Sequence, residues 1–197
     1  MISRRRLCTA ALTAPILASV PSFAMAADND VNMKHASLYR DPNNTPPGLY
    51  LSVDWEFELS TMLLDSLRRG ISLYFIYEFR LEKSRWYWLN KELSSAQLVQ
   101  RLSYSPLSRQ YRLSRGGLTQ SFDSLESVVP LLLHVRDWHV ADLMSFQSID
   151  PYIAETRVRL DLSQLPKPLQ VSIGGSSDWE LDSDWVSVPL SADQLTS

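Results

Sequence analysis

Cysteine is almost missing from this chain of 197 residues: the one present, Cys8, lies in the N-terminal segment read below as a leader. The mature chain is therefore expected to have no disulfide, no thiol nucleophile and no thiolate metal ligand. Positive charge is scarce as well. The net charge is −3, and the leader carries Arg4, Arg5 and Arg6 but no acidic residue, so its removal takes the balance to −6. That balance argues against a nucleic-acid binder held by general phosphate attraction. Enzyme signatures are missing too: there is no Gly-x-Ser-x-Gly, Ser-x-x-Lys, His-Glu-x-x-His or phosphate-binding loop. No repeat or heptad appears, and after residue 26 no stretch approaches the roughly 20 apolar residues needed to span a bilayer. The mature chain is expected to have no transmembrane segment.

What is present is an ordinary globular composition, 45% hydrophobic, 10% aromatic and 21% charged, in a length suited to one domain. The N-terminus reads Ser3-Arg4-Arg5-Arg6, then an apolar run from Leu7 to Val20, then Ala24-Met25-Ala26 before polar Ala27-Asp28-Asn29-Asp30. That order is a cleavable secretory signal peptide over residues 1–26, with small residues at −3 and −1 of the cut. The arginines partly match a twin-arginine pattern, but a basic start is ordinary for Sec export, and the expected location is the periplasm. From Ala27 to Gly48 the chain is polar and ends in Asp41-Pro42-Asn43-Asn44-Thr45-Pro46-Pro47-Gly48, which reads as a flexible arm. A single β-rich domain is expected over 49–190 and a short tail over 191–197.

Within that domain the dominant signal is period two. Leu51, Val53, Trp55, Phe57 and Leu59 alternate with Ser52, Asp54, Glu56 and Glu58, and Leu73, Phe75, Tyr77, Phe79 and Leu81 share one face with Glu78, Arg80 and Glu82 on the other. Trp55, Phe75 and Phe79 are thus expected in the core, with Glu78, Arg80 and Glu82 pairing to Glu56, Glu58 or their neighbours. Between these strands Ser60 or Thr61 caps a short helix through Leu63, Leu64 and Leu67 that Gly70 stops. Further strands are expected over Arg85–Leu89, along the alternation of Ala96, Leu98, Gln100, Leu102 and Tyr104, over Arg109–Ser114, and from Leu118 to Phe122 after a turn at Gly116-Gly117. Asp123 with Glu126 forms a capping box for a second helix over Leu125–Leu133 that Pro130 kinks or shortens. His134–Asp142 reads as the helix end and a loop. Tyr152–Leu162 alternates again, Pro166 and Pro168 take the chain out of the sheet, and a last strand runs near Asp178–Val188. Many strands with only two short helices predict a mainly β fold, an antiparallel β-sandwich or a strongly curved sheet.

Arg85-Trp86-Tyr87-Trp88, Arg101-Leu102-Ser103-Tyr104, Arg109-Gln110-Tyr111-Arg112, Gly116-Gly117-Leu118, Arg136-Asp137-Trp138 and Arg159-Leu160-Asp161-Leu162-Ser163-Gln164-Leu165-Pro166-Lys167-Pro168 together resemble the secreted proteobacterial family called domain of unknown function 4390. The resemblance spans roughly Leu49 to Trp185 and implies no catalytic residue. Its members are often encoded beside a membrane sensor histidine kinase of the nitrogen-regulation type, which implies an envelope signalling role by association.

The candidate binding residues are aromatic and basic. Trp86 and Trp88 share a strand face on which sugar rings could stack, although six tryptophans in a β-sandwich also serve as core. Arg101, Arg109, Arg112 and Arg115 form the main basic group: an anion site if they converge, a solvated strand face otherwise. His134 and His139, five residues apart, would diverge on a helix, so no metal is expected there. Asp178, Glu180, Asp182 and Asp184 alternate with Trp179, Leu181, Ser183 and Trp185, a charged edge that can pair with Arg157 and Arg159 and discourages sheet addition. No cofactor is expected. The predicted function is that of a soluble, non-enzymatic interaction or regulatory module of the envelope whose partner is another envelope protein, with the sensor kinase implied by the resemblance. The alternative is a carbohydrate- or cell-wall-binding module using Trp86, Trp88 or Trp179; an enzyme with carboxylates as acid and base comes third.

Overall fold

Period-two segments become strands wherever one face is apolar, and a computed structural model describes residues 31–85, 87, 90–142, 152–167, 169 and 177–190 of the chain. The strands are β1 (Asn32–Asp41), β2 (Gly48–Glu56), β3 (Leu73–Lys83), β4 (Lys91–Ser105), β5 (Gln110–Arg115), β6 (Leu118–Phe122), β7 (His134–Asp142), β8 (Tyr152–Leu160) and β9 (Val186–Val188), with helices α1 (Thr61–Arg68) and α2 (Leu125–Leu133). They form two antiparallel sheets of unequal width, β1-β2-β7 and β6-β5-β4-β3-β8-β9. The expected mainly β architecture with two short helices is therefore observed. Leu51, Val53 and Trp55 from the narrow sheet and Phe75, Tyr77 and Phe79 from the wide one share one core, and all six are essentially inaccessible to water.

Local chemistry sets the element ends. The Ser60 hydroxyl accepts the Leu63 N–H at 3.2 Å, capping α1, and Gly70 follows its last turn at φ +88°. Gly116 and Gly117 both take positive φ in the β5–β6 turn, where an L side chain would be strained. Gly48 is needed for a different reason: a Cβ there would run into His139 Nε2 and the Ala141 carbonyl of β7.

Several expectations fail. The polar segment taken as an arm contains β1, which pairs with β2 along its length and buries Ala36 and Leu38; an edge strand needs only that small apolar content. His134–Asp142 is not a helix end and loop but β7, bonded to β2 and burying Val135, Trp138, Val140 and Ala141. The α2 cap is Ser124, whose hydroxyl accepts the Ser127 N–H at 3.3 Å, so the capping box over Asp123 and Glu126 is displaced by one residue. The last strand shrinks to β9 and a bridge at Asp182, because the Ser183 hydroxyl takes the Val158 N–H at 2.9 Å. Arg85 and Tyr87 lie outside any strand, while Trp86, Trp88, the leader and the 191–197 tail fall outside the described residues.

The outer face of the wide sheet corrects the expected ion pairs. Glu78 accepts Arg157 Nε at 2.5 Å and Arg159 Nε at 3.3 Å, Arg80 pairs with Glu155 at 2.6 Å, and the Arg80 and Arg157 guanidinium groups flank the Trp185 ring at 4.2 and 4.7 Å. Burial alone would raise the Glu78 carboxyl, but the two arginines hold it below its ordinary value of 4.5. Its contribution to stability is thus complete above the unfolded-state value and is lost as pH falls through the lower folded value. Glu78→Gln should lower stability at neutral pH by about 1–2 kcal/mol and flatten the acid dependence, as read by urea unfolding at neutral and acid pH.

Candidate functional site

The mismatch between three and six strands leaves the wide sheet only partly covered. β7 is the edge of the narrow sheet and lies on β4, where the Ser94 hydroxyl donates to the Val140 carbonyl at 2.9 Å. Beyond it the inner faces of β5 and β6 meet α2. The space left there is a cleft of about 490 Å³, within the usual range for a small-molecule site.

Register explains its lining. Gln100 of β4 stands opposite Phe75 of β3 on one side and Arg115 of β5 on the other; Leu118 opposes Arg115, and Gln120 opposes Leu113. These residues and Leu98 form the floor, while Leu131 of α2 and His134 and Arg136 of β7 form the opposite wall. Tyr77 fixes the two sides together: its buried hydroxyl donates to the Leu132 carbonyl at 2.6 Å, and burial raises its pKa.

The charges are arranged unequally. Asp54 of β2 accepts Arg136 Nη2 at 2.5 Å and lies 2.7 Å from His134 Nδ1, which steers both side chains to the wall. Burial pushes the Asp54 carboxyl up, but hydrogen bonds from Arg136 and His134 outweigh it and hold the group below its ordinary value. Arg115 has no such carboxylate: its side chain forms no hydrogen bond or ion pair among the described residues, and burial lowers its pKa against the weaker pull of Tyr77 and Asp137. Gln100 is 1% exposed, and its Oε1 is buried without a hydrogen-bond partner among the described residues. A buried acceptor left unpaired costs about 1–3 kcal/mol, so this one needs an explanation. Among the described residues the lining contains donors and leucines but no carboxylate, hydroxyl or thiol.

The basic residues singled out from the sequence do not converge. Arg101 points from the outer face of β4, donating to the Ser72 hydroxyl at 3.0 Å and lying over the Tyr74 ring; Arg112 is exposed on the outer face of β5, and Arg109 sits in the turn between them at φ 54°. Of these four arginines, Arg115 alone lines the cleft. Trp179 is 5% exposed, so it offers no ring to a sugar. Gln100 and Arg115 were legible in principle as polar residues occupying apolar-face positions of two alternating strands.

A family model for a domain of unknown function, DUF4390, matches residues 40–189, well over half of the chain. The chain belongs to the DUF4390 family. The match begins at the end of β1 and runs past β9, so the wide sheet, β2, β7 and the cleft lie within the DUF4390 domain, while β1 enters it only at its last two residues. No curated protein and no solved structure matches the chain. No helix among the described residues is long and apolar enough to cross a membrane.

Proposed function

We propose that this DUF4390 protein is an exported, non-enzymatic binding module of the cell envelope, and that the cleft between α2, β7 and the uncovered part of the wide sheet is its receiving surface. The observation that carries this reading is the lining itself: leucines together with hydrogen-bond donors and, among the described residues, no hydroxyl or thiol nucleophile and no pair of carboxylates. Export to the periplasm is supported by the order of basic, apolar and small residues over 1–26. The partner is a protein of the envelope, and the sensory part of a membrane histidine kinase is the one that the family resemblance favours.

A photo-crosslinking residue at Leu118, which is 77% exposed on the cleft rim, tests this in living cells against the same residue at Leu107, which is 98% exposed on the β4–β5 turn. The expected result is one discrete adduct from Leu118, identified as the sensor kinase by mass spectrometry, from a protein lacking residues 1–26. Identical patterns from both positions, or a cytoplasmic protein that keeps its leader, would overturn the proposal.

A further inference from the structure

The geometry points to a single-chain anionic amphiphile as the ligand of the cleft, one whose acid group has an amide N–H or a hydroxyl a few bonds away. This rests on the cleft being the binding site. Three features converge on that chemistry. Leu118 and Leu131, 77% and 39% exposed, leave apolar surface that an alkyl chain would cover, at about 25 cal/mol for each Å² removed from water. The Arg115 guanidinium is half-buried and has no ion pair or side-chain hydrogen bond among the described residues, so an anion in the cleft would supply the missing partner. The Gln100 Oε1 atom is buried and unpaired, and only a donor satisfies it.

Gln100 and Arg115 are directly opposed across β4 and β5 on the same face, so one head group can meet both. A simple carboxylate would satisfy Arg115 and leave Gln100 unpaired. An N-acyl amino acid or a hydroxy fatty acid satisfies both: the carboxylate accepts from Arg115, and the N–H or O–H donates to Gln100. Arg136 and His134 face the head group from the opposite wall, but both already have Asp54 as a partner. Arg115 therefore sets the preference for an anion.

Calorimetry on the purified mature protein, with each probe below its micelle concentration, separates these contributions. N-lauroylglycinate and 3-hydroxydodecanoate are expected to bind at least tenfold more tightly than dodecanoate, which lacks the donor, and than N-lauroylethanolamine, which lacks the charge. Whichever of the first two binds better identifies the amide or the hydroxyl as the natural donor. Arg115→Gln should abolish the preference for the glycinate over the ethanolamide, and Gln100→Leu should abolish its preference over dodecanoate. Leu118→Ser, at an exposed site that cannot endanger folding, should weaken all four. Equal binding of charged and neutral probes, or an Arg115→Gln protein that melts like the parent and keeps its preference, would overturn the inference. If no probe binds while Leu118 still crosslinks to the kinase, the ligand class is wrong and the binding-module reading stands.

Discussion

Phe75→Ala should lower the unfolding free energy by about 3–5 kcal/mol, the usual cost of removing a buried phenyl ring. Phe75 is fully buried near the start of β3, opposite Gln100 on one side and Leu160 on the other, and its ring stacks on Phe57 at 6.0 Å. Neither sheet can collapse into the space left behind, because β3 is bonded on both sides and cannot shift without breaking two ladders. A domain of ordinary stability has about 5–15 kcal/mol in total, so the variant would be near unfolding at physiological temperature. Urea denaturation reads this directly. A Phe75→Ala protein with the parent's midpoint and slope would mean that the apolar face of β3 does not point into the core.

Val135→Asp should be equally severe, and it separates a strand from a loop at His134–Asp142. Val135 is fully buried and opposes Val53 in the narrow sheet. A carboxylate at this position must either ionise without a partner or remain protonated by a large upward pKa shift, and either outcome costs several kcal/mol. Leu118→Asp, on the exposed rim, should change stability by no more than about 0.5 kcal/mol. Circular dichroism melting of the two variants side by side gives the answer. Equal tolerance of both would remove β7 from the core.

Phe75 and Val135 also show what was legible in the sequence. β3 keeps an apolar residue at every second position from Leu73 to Leu81, so its core-facing side, and those of β2 and β8, could be read from residue type alone. β7 could not. It follows α2 directly, its pairing with β2 shifts register twice, and Asp137 takes φ 50°, so the buried residues Val135, Trp138, Val140 and Ala141 fit no single period. β1 was hidden for the opposite reason, since an edge strand burying only Ala36 and Leu38 resembles a polar linker. The cleft belongs to neither case: it arises because one sheet is three strands wider than the other, a property of the assembled sheets that no local pattern records.

The order in which the strands pair bears on when this protein can fold. β3 to β6 form a meander of successive hairpins, yet each sheet is closed by a strand made much later: Asp54 meets His134 across 80 positions, and Glu78 meets Arg157 across 79. Contacts this distant in sequence form slowly, because the intervening chain must be ordered or looped before they contribute. A nascent chain that ends before residue 134 has neither β7 nor β8 and can complete neither sheet. Such a chain can form hairpins but no shared core, so the topology defers completion of the fold until the last third of the chain has been made.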